Sequence, residues 1–256
     1  MFNLHRSKPR GRRYGWVPDH PDARDYPYKM VRQKIKLPQI VDLREGCTPV
    51  EDQGSLGSCT ANALVGAFEY LDKADGGTFV DWSRLFLYYN ERKMQGWENE
   101  DSGAFLRDGI KSLVSDGICD EALWPYNVKK FAKKPCASQY EEAKGHVVES
   151  YFRIQTLEDM QNCLASGWPF VFGFTVYESF NHVGSNGKVN MPLPDERALG
   201  GHAVCAVGYD MKREVFIVRN SWGALWGDKG YFYMPFDYLS DKNLSDDFWA
   251  ISKAKV

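Results

Sequence analysis

The feature that most constrains this chain is a glycine-rich turn that places a cysteine at the start of a helix. Residues 53–59 read QGSLGSC, so the turn begins at Gln53 and ends at Cys59. Apolar residues then recur at steps of three and four, which is the spacing of one helix face. They are Ala61, Leu64, Val65, Phe68 and Leu71. The Asp-Gly-Gly sequence at 75–77 predicts the end of this helix.

The position of Cys59 at a helix start points to a reactive thiol. The first N–H groups of a helix have no intrahelical partner, and the macrodipole is positive there. Both effects favour the thiolate, which is the nucleophilic form of cysteine. The alternative is that Cys59 is a buried cysteine packed as a small hydrophobe, the common fate of lone cysteines.

The composition is that of a folded globular protein whose net charge creates only a weak electrostatic field. The 256 residues are 43% hydrophobic and 14% aromatic, enough for one large domain or two modest lobes. The net charge of -2 gives no strong attraction to nucleic acid or to a membrane surface. The longest apolar run, 168–177, is shorter than the ~18 residues of a membrane helix. We therefore expect neither nucleic acid nor membrane as a partner.

The N-terminus and the cysteines bear on location. The opening MFNLHRSKPRGRR is basic and lacks an apolar h-region, so it is not a secretory signal as written. Unless a signal was removed before this numbering begins, the sequence leaves a cytoplasmic location or export by a non-standard route. The six cysteines form no CxxC pair and no zinc-binding spacing, so no metal is expected. If Cys59 is free, the other five cannot all pair; we expect few disulfides and a reducing compartment, with Cys205 in the core.

Residues 1–36 differ from the rest and are predicted to form an N-terminal arm. Residues 5–13 are basic, and residues 14–28 are rich in proline, aspartate and aromatics, without helical or strand periodicity. One interpretation is a disordered tail, as most short basic termini are. The other is an extended arm on the folded body, because its aromatic residues are costly to leave in water. These are Tyr14, Trp16, Tyr26 and Tyr28.

The body, residues 37–256, changes from helical to β-rich character near residue 145. Besides the helix after Cys59, apolar periodicity predicts helices over 83–95, 103–116 and 156–166. Strands are predicted over 146–154, 169–177, 202–209, 215–220, 230–234 and 248–252. The long polar loop over 181–200 is typical of a functional or mobile segment. The sequence thus indicates an α+β fold, with a mainly helical lobe over 37–145 and a mainly β lobe over 146–256.

A thiol nucleophile needs a base, and the base needs an orienting group. The histidines are His5, His20, His146, His182 and His202. Of these, His202 follows two glycines at the start of an apolar strand, and Asn220 ends another strand in the sequence NSWG. Each has an ordinary structural explanation when taken alone, as a satisfied strand histidine and as a turn residue.

Together, these stretches resemble the papain-like cysteine peptidases. The glutamine stands six residues before the cysteine, the histidine 143 residues after it, and Asn-Ser-Trp-Gly begins 18 residues later. The resemblance spans about residues 37–234, and the short arm is similar to a compact bacterial branch of the family. It implies a papain-like two-lobed fold, with a helical lobe and an antiparallel β-barrel-like lobe that face each other across the active-site cleft.

The resemblance also implies catalytic roles. Cys59 would be the nucleophile, held as a thiolate beside an imidazolium at His202, and Asn220 would orient that ring. The Gln53 amide and the Cys59 backbone N–H would form the oxyanion hole. The implied reaction is hydrolysis of peptide bonds through a covalent thioester acyl-enzyme, without metal or organic cofactor.

The substrate-binding positions match the family less closely. Ser102 and Gly103 occupy the place of the glycine pair that holds the substrate backbone, and Trp222 would line the leaving-group side. Gly201 stands before the histidine, where the family usually has an acidic residue. The expected partner is a protein or peptide substrate, and the expected state is a monomer.

Two departures lie beside the cysteine. Leu56 replaces a half-cystine of the family, so one family disulfide cannot form, and Thr60 replaces a packing tryptophan. Neither replaces a reacting group, so we expect the chemistry to be intact while the usual bracing is exchanged for other contacts.

The remaining hypotheses concern the arm and the reaction. We expect residues 1–36 to act as a pro-segment or autoinhibitory arm that crosses or borders the cleft. One rival is acyl transfer such as transamidation; another is a catalytically silent homologue that binds peptides. The retention of all four catalytic residue types argues against silence. A third idea is that the basic end of the arm binds anionic lipid or nucleic acid.

Overall fold

The computed structural model describes residues 13–31 and 35–253. Most of the predicted basic patch lies outside these residues, namely His5, Arg6, Lys8, Arg10 and Arg12.

Helices dominate the first half of the body. They are α1 (Cys59–Ala74), α2 (Arg84–Lys93), α3 (Leu106–Ser115) and α4 (Ala137–Ala143). The Ser83 hydroxyl caps α2 by accepting a hydrogen bond from the Phe86 N–H at 3.1 Å. The predicted helices over 59–75, 83–95 and 103–116 are confirmed to within a few residues. The seven-residue helix α4 was not predicted because it is too short to show apolar periodicity.

A seven-stranded antiparallel sheet forms most of the second half. Its strands are β1 (Ile40–Asp42), β2 (Ser150–Arg153), β3 (Phe170–Tyr177), β4 (Ala198–Asp210), β5 (Val215–Arg219), β6 (Tyr231–Pro235) and β7 (Ser245–Ser252). The strand order is β2-β7-β3-β4-β5-β6, and β1 pairs with β4. The helices α5 (Leu157–Ala165) and α6 (Phe236–Ser240) accompany the sheet.

The expected combination of helices with an antiparallel sheet is confirmed, with two refinements. In the described part of the chain, β2 and β6 remain edge strands, so the sheet is open rather than a closed barrel. The short strand β1, from the predicted helical half, pairs with the end of β4. It is three residues long and therefore carries no alternation that a sequence pattern can detect.

Two apolar cores hold these layers together. The first packs α1, α2 and α3 on one another and on one face of the sheet, with Leu64, Phe68 and Phe86 fully buried. The second lies within the β half and is rich in phenylalanine, including Phe170, Phe172 and Phe174. Helix α1 lies against β4. This contact brings the start of the Cys59 helix beside the strand that carries His202.

All six cysteines are free thiols in the structure. The described ranges contain no group of three or more His, Cys, Asp or Glu side chains that could hold a metal ion. Within the same ranges, no helix is both long and apolar enough to cross a membrane.

Candidate active site

Cys59 is the first residue of α1 and is completely buried. Burial raises the pKa of its thiol from 9.0 to about 12. The backbone N–H groups of Ala203, Gly15 and Thr60 act in the opposite direction, but burial outweighs them. Burial therefore disfavours the thiolate in this arrangement of the chain, and the thiolate–imidazolium pair of Cys59 and His202 stays a prediction.

The His202 ring is held between Asn220 and aromatic side chains. Its Nε2 lies 2.8 Å from Asn220 Oδ1, which also accepts a hydrogen bond from the Ser221 N–H at 2.8 Å. The Trp222 ring stacks on the imidazole with a centroid distance of 4.9 Å and an interplanar angle of 28°. Phe174, directly opposite His202 in the β3–β4 register, meets the ring edge-on at 5.7 Å. His202 is fully buried, so its contact with Asn220 is shielded from water.

Gln53 is fixed at both ends of its side-chain amide. Its Oε1 accepts a hydrogen bond from Ser221 Oγ at 2.6 Å, and its Nε2 donates to Leu56 O at 2.9 Å. The same Nε2 lies 3.4 Å from the backbone carbonyl oxygen of Arg13, in the arm. A donor that is held in place and still reaches an incoming carbonyl has the geometry that an oxyanion hole requires.

The arm passes through the cleft beside Cys59. The Trp16 N–H donates to Gly201 O at 2.9 Å and the Val17 N–H to Ala104 O at 3.0 Å. The Ala104 N–H in turn donates to Gly15 O at 2.8 Å. A Cβ atom on Gly15 would stand 1.7 Å from the carbonyl oxygen of Gly57, so only glycine fits this crossing. The Tyr14 ring lies beside the His202 ring, at 6.2 Å between centroids.

Buried polar contacts anchor the arm on the far side of the crossing. Trp16 Nε1 donates to Asp247 Oδ2 at 2.9 Å, and the Asp19 N–H donates to the same oxygen at 2.7 Å. The Asp19 carboxylate accepts from Trp249 Nε1 at 2.9 Å and from the Arg107 N–H at 3.2 Å. The two carboxyl groups thus share one buried site, and burial together with the charge of Asp247 raises the pKa of Asp19 from 3.8 to about 7.

The predicted substrate-binding residues lie where the arm runs, with one exception. Gly103 is buried with φ of +74°, and a Cβ there would stand 2.1 Å from Gly15 O. The Gly201 carbonyl binds the Trp16 N–H, while Trp222 covers His202. Ser102 forms no arm hydrogen bond in the described residues; its hydroxyl donates to Gly103 O at 2.9 Å.

Leu56 and Thr60, the two residues beside Cys59 that differ from the family pattern, make other contacts instead. Leu56 is 4% exposed and joins the first apolar core, where its bulk takes the place of a covalent bridge. Thr60 Oγ1 donates to the buried carboxyl group of Glu91 at 2.6 Å, linking α1 to α2. Burial raises the pKa of Glu91 from 4.5 to about 8. The turn before Cys59 is therefore braced by packing and by one buried polar contact.

Several residues at the site were missed by sequence reasoning. Asp101 accepts a hydrogen bond from the Gly57 N–H at 2.9 Å and forms an ion pair of 2.8 Å with Arg13. The Tyr126 hydroxyl donates to Gln53 O at 2.9 Å. Asp19 and Asp247 meet across 228 residues of sequence. None of these residues has a local pattern that distinguishes it from an ordinary surface residue, so no sequence signal was available.

Comparison with known proteins gives a consistent result. The family described as papain family cysteine protease matches residues 37–244. An uncharacterized peptidase C1-like protein of Acanthamoeba polyphaga mimivirus is 42% identical, over 94% of this chain and 87% of that protein. Cysteine proteinase 1 of Entamoeba histolytica is 32% identical over 78% of this chain, which spans 64% of that relative's length.

The crystal structure of xylellain, a cysteine protease from Xylella fastidiosa, superposes with a TM-score of 0.89 at 40% sequence identity. The match covers 97% of this chain and 99% of xylellain, so it includes the arm as well as the body. The chain therefore has the papain-like fold, belongs to the papain family of cysteine proteases and is a cysteine-type peptidase.

Proposed function

We propose that this chain is an endopeptidase that hydrolyses peptide bonds with Cys59, His202 and Asn220 as its catalytic triad. The observation that carries the proposal is the 2.8 Å contact between His202 Nε2 and Asn220 Oδ1 beneath the Trp222 ring. This contact assigns Nε2 to the orienting residue and leaves the other ring nitrogen for proton transfer.

The reaction follows from these positions. The Cys59 sulfur attacks the carbonyl carbon of the peptide bond, and the carbonyl oxygen becomes an oxyanion. His202, as imidazolium, gives its proton to the leaving amine when the C–N bond breaks, and a thioester remains on Cys59. His202 then takes a proton from water as the water oxygen attacks the thioester. The C–S bond breaks, the carboxylic acid product leaves, and Cys59 and His202 return to a thiolate and an imidazolium.

The oxyanion is stabilised by donors that are already in place. We assign these to Gln53 Nε2, which is buried and held by Ser221 and Leu56, and to the Cys59 N–H at the helix start. A fixed donor of this kind is typically worth roughly 3 kcal/mol of activation free energy.

We also propose that the arm keeps the enzyme inactive. The arm places the carbonyl of Arg13 near the oxyanion donor Gln53 Nε2 and presents the N–H of Gly15 to the Cys59 sulfur. An N–H group cannot be attacked by a thiolate, so the arm occupies the cleft without being a substrate. Burial beneath the arm also keeps the thiol protonated.

The test uses a single substitution, Gly15→Ala, which we call the arm-released chain. The added methyl group would meet backbone atoms of Gly57, which cannot rotate away, so residues 13–17 must leave the cleft. The arm then loses three backbone hydrogen bonds, each worth about 1 kcal/mol, and peptide cleavage should rise on the order of 100-fold. Cleavage of a peptide library measures this, with Gly145→Ala as the control, since its Cβ would have no neighbour closer than 3.6 Å.

The outcomes separate the proposals from their rivals. Equal cleavage by the unmodified chain, the arm-released chain and a chain that starts at Lys36 would reject autoinhibition. A silent binding homologue would cleave nothing and would take up no E-64, the inhibitor named in complex with the bromelain protease of Ananas comosus. A transamidating enzyme would transfer the acyl group to an added amine faster than to water.

A further inference from the structure

A small cavity lies beside the His202–Asn220 pair. It has a volume of about 10 Å³ and lies between α1, which contributes Asn62, and the strands β4 and β5 with the turn that follows. Asn220 and Ser221 line it from the side of the turn. This volume is about that of one water molecule, and a site of this kind holds water when its lining offers two to four polar partners.

Two buried amide atoms, on residues that line this cavity, have no hydrogen-bond partner among the residues that the structure describes. They are Asn62 Oδ1 and Asn220 Nδ2, on side chains that are 5% and 3% exposed. The orientation of both amides is fixed by their other ends. Asn62 Nδ2 donates to Ser58 O at 2.9 Å, and Asn220 Oδ1 accepts from the Ser221 N–H. One residue therefore offers an acceptor and the other a donor.

We propose that one buried water molecule bridges Asn220 Nδ2 to Asn62 Oδ1 and that Asn62 is a positioning residue for the catalytic asparagine. The water accepts a hydrogen bond from the Asn220 amide and donates one to the Asn62 carbonyl oxygen. The Ser221 hydroxyl, which already donates to Gln53 Oε1 at 2.6 Å, has lone pairs left to accept the second water proton. Without the water, Asn62 Oδ1 and Asn220 Nδ2 would each be buried without the hydrogen bond that they make to solvent in the unfolded chain, which costs free energy.

This water completes the orientation that the Ser221 N–H sets for the Asn220 amide. With the amide reversed, its NH₂ group would face the Ser221 N–H, placing donor against donor, and its oxygen would face the cavity. A water that donates to Asn62 accepts from the NH₂ group in the observed orientation. Asn62 therefore acts through the water on Asn220, and through Asn220 on the His202 ring. The inference rests on the proposed triad, in which Asn220 orients that ring.

The first test is direct and needs no substitution. A high-resolution crystal structure of the unmodified chain should show a water peak within about 3.2 Å of both Asn62 Oδ1 and Asn220 Nδ2. A cavity without water density, or a direct contact between the two amides, would overturn the proposal.

The second test measures positioning in the arm-released chain. Asn62→Leu removes the acceptor and should lower kcat about 3- to 10-fold with KM unchanged, the loss of one hydrogen bond. Because the Asn220 oxygen stabilises the imidazolium by accepting from Nε2–H, the alkaline limb of the pH–rate profile should also move to lower pH.

The matched control is Asn90→Leu, another buried asparagine, whose amide donates to Phe86 O and accepts from the Tyr140 hydroxyl. It should lower stability without moving the alkaline limb. An unchanged limb in Asn62→Leu, or the same shift in Asn90→Leu, would reject the positioning role. Retained peptide cleavage in Cys59→Ala would instead reject the proposed function, so the two failures are distinguishable.

Discussion

The buried pair of carboxyl groups that anchors the arm should make autoinhibition depend on pH. Asp19 and Asp247 share one site, and the docked arm raises the pKa of Asp19 from 3.8 to about 7. Arg153 lies 2.8 Å from Asp247 and 3.5 Å from Asp19, and Arg107 also faces the pair, yet burial outweighs these cations. The docked arm therefore favours protonated Asp19, whereas a released arm leaves Asp19 in water.

Arm docking should therefore become weaker as the pH rises. Docking is unhindered by Asp19 ionisation below pH 4, weakens as the pH rises towards 7, and is weakest above pH 7. A shift from 3.8 to about 7 corresponds to roughly 4 kcal/mol in total. Between pH 5 and pH 8 the change should be about 2 to 3 kcal/mol, which is roughly a 30- to 150-fold change in the docking equilibrium.

Hydrogen exchange measures this equilibrium without relying on catalysis. In a Cys59→Ala chain, the Trp16 and Val17 amides are protected only while they bind Gly201 O and Ala104 O. After correction for intrinsic exchange rates, their protection should fall by that factor from pH 5 to pH 8.

Two variants provide a test and a control for this measurement. Asp19→Asn should remove most of the pH dependence, because the ionising group is gone. Asp22→Asn removes the same charge from a half-buried arm residue, whose pKa Arg24 lowers so that it does not titrate in this window, and it should leave the effect intact. Protection of these amides in the Cys59→Ala chain that is equal at both pH values, or greater at pH 8, would refute the reasoning.

Three further predictions concern the body. In the arm-released chain, Gln53→Ala should lower kcat about 10²- to 10³-fold through loss of an oxyanion donor, and steady-state kinetics with KM unchanged would confirm it. Leu56→Ala should lower the unfolding free energy by about 2 to 5 kcal/mol in urea titrations, whereas Leu193→Ala, at a side chain 72% exposed, should change it little. Because Glu91 has a pKa raised from 4.5 to about 8, its contribution to stability is lost as the pH rises through this range. The stability of the unmodified chain relative to Glu91→Gln should therefore fall by roughly 3 to 5 kcal/mol between pH 4 and pH 9, and equal pH dependence of the two chains would contradict this.

The residues proposed to be catalytic could be singled out from the sequence because each lies in a local pattern. Cys59 starts a helix after a glycine-rich turn, and Asn220 ends a strand in a recognisable four-residue sequence. Their order and spacing relative to Gln53 and His202 then pointed to one family, to which the chain belongs. Helix and strand periodicity likewise located most elements, since an amphipathic face repeats many times within one element.

The contacts of the arm were not accessible because they join distant, unpatterned positions. Gly15 fits the cleft only because it lacks a Cβ atom, and Asp19 meets Asp247 only after β7 has been placed in the sheet. The burial of Cys59 beside the arm was also missed; burial raises the pKa of the thiol, whereas the helix start favours the thiolate. Burial is a property of the assembled chain, and no single segment encodes it.

The central claim is that Cys59 carries out the reaction once the arm has left. The most direct measurement is peptide mass spectrometry of the arm-released chain after brief treatment with E-64, alongside peptide cleavage by the same chain with Cys59→Ala. The account predicts one adduct per chain, located on Cys59, and no cleavage after the substitution. An adduct confined to the exposed Cys136, whose neighbours Ser138 and Gln139 lower its pKa, or cleavage that survives Cys59→Ala, would contradict it.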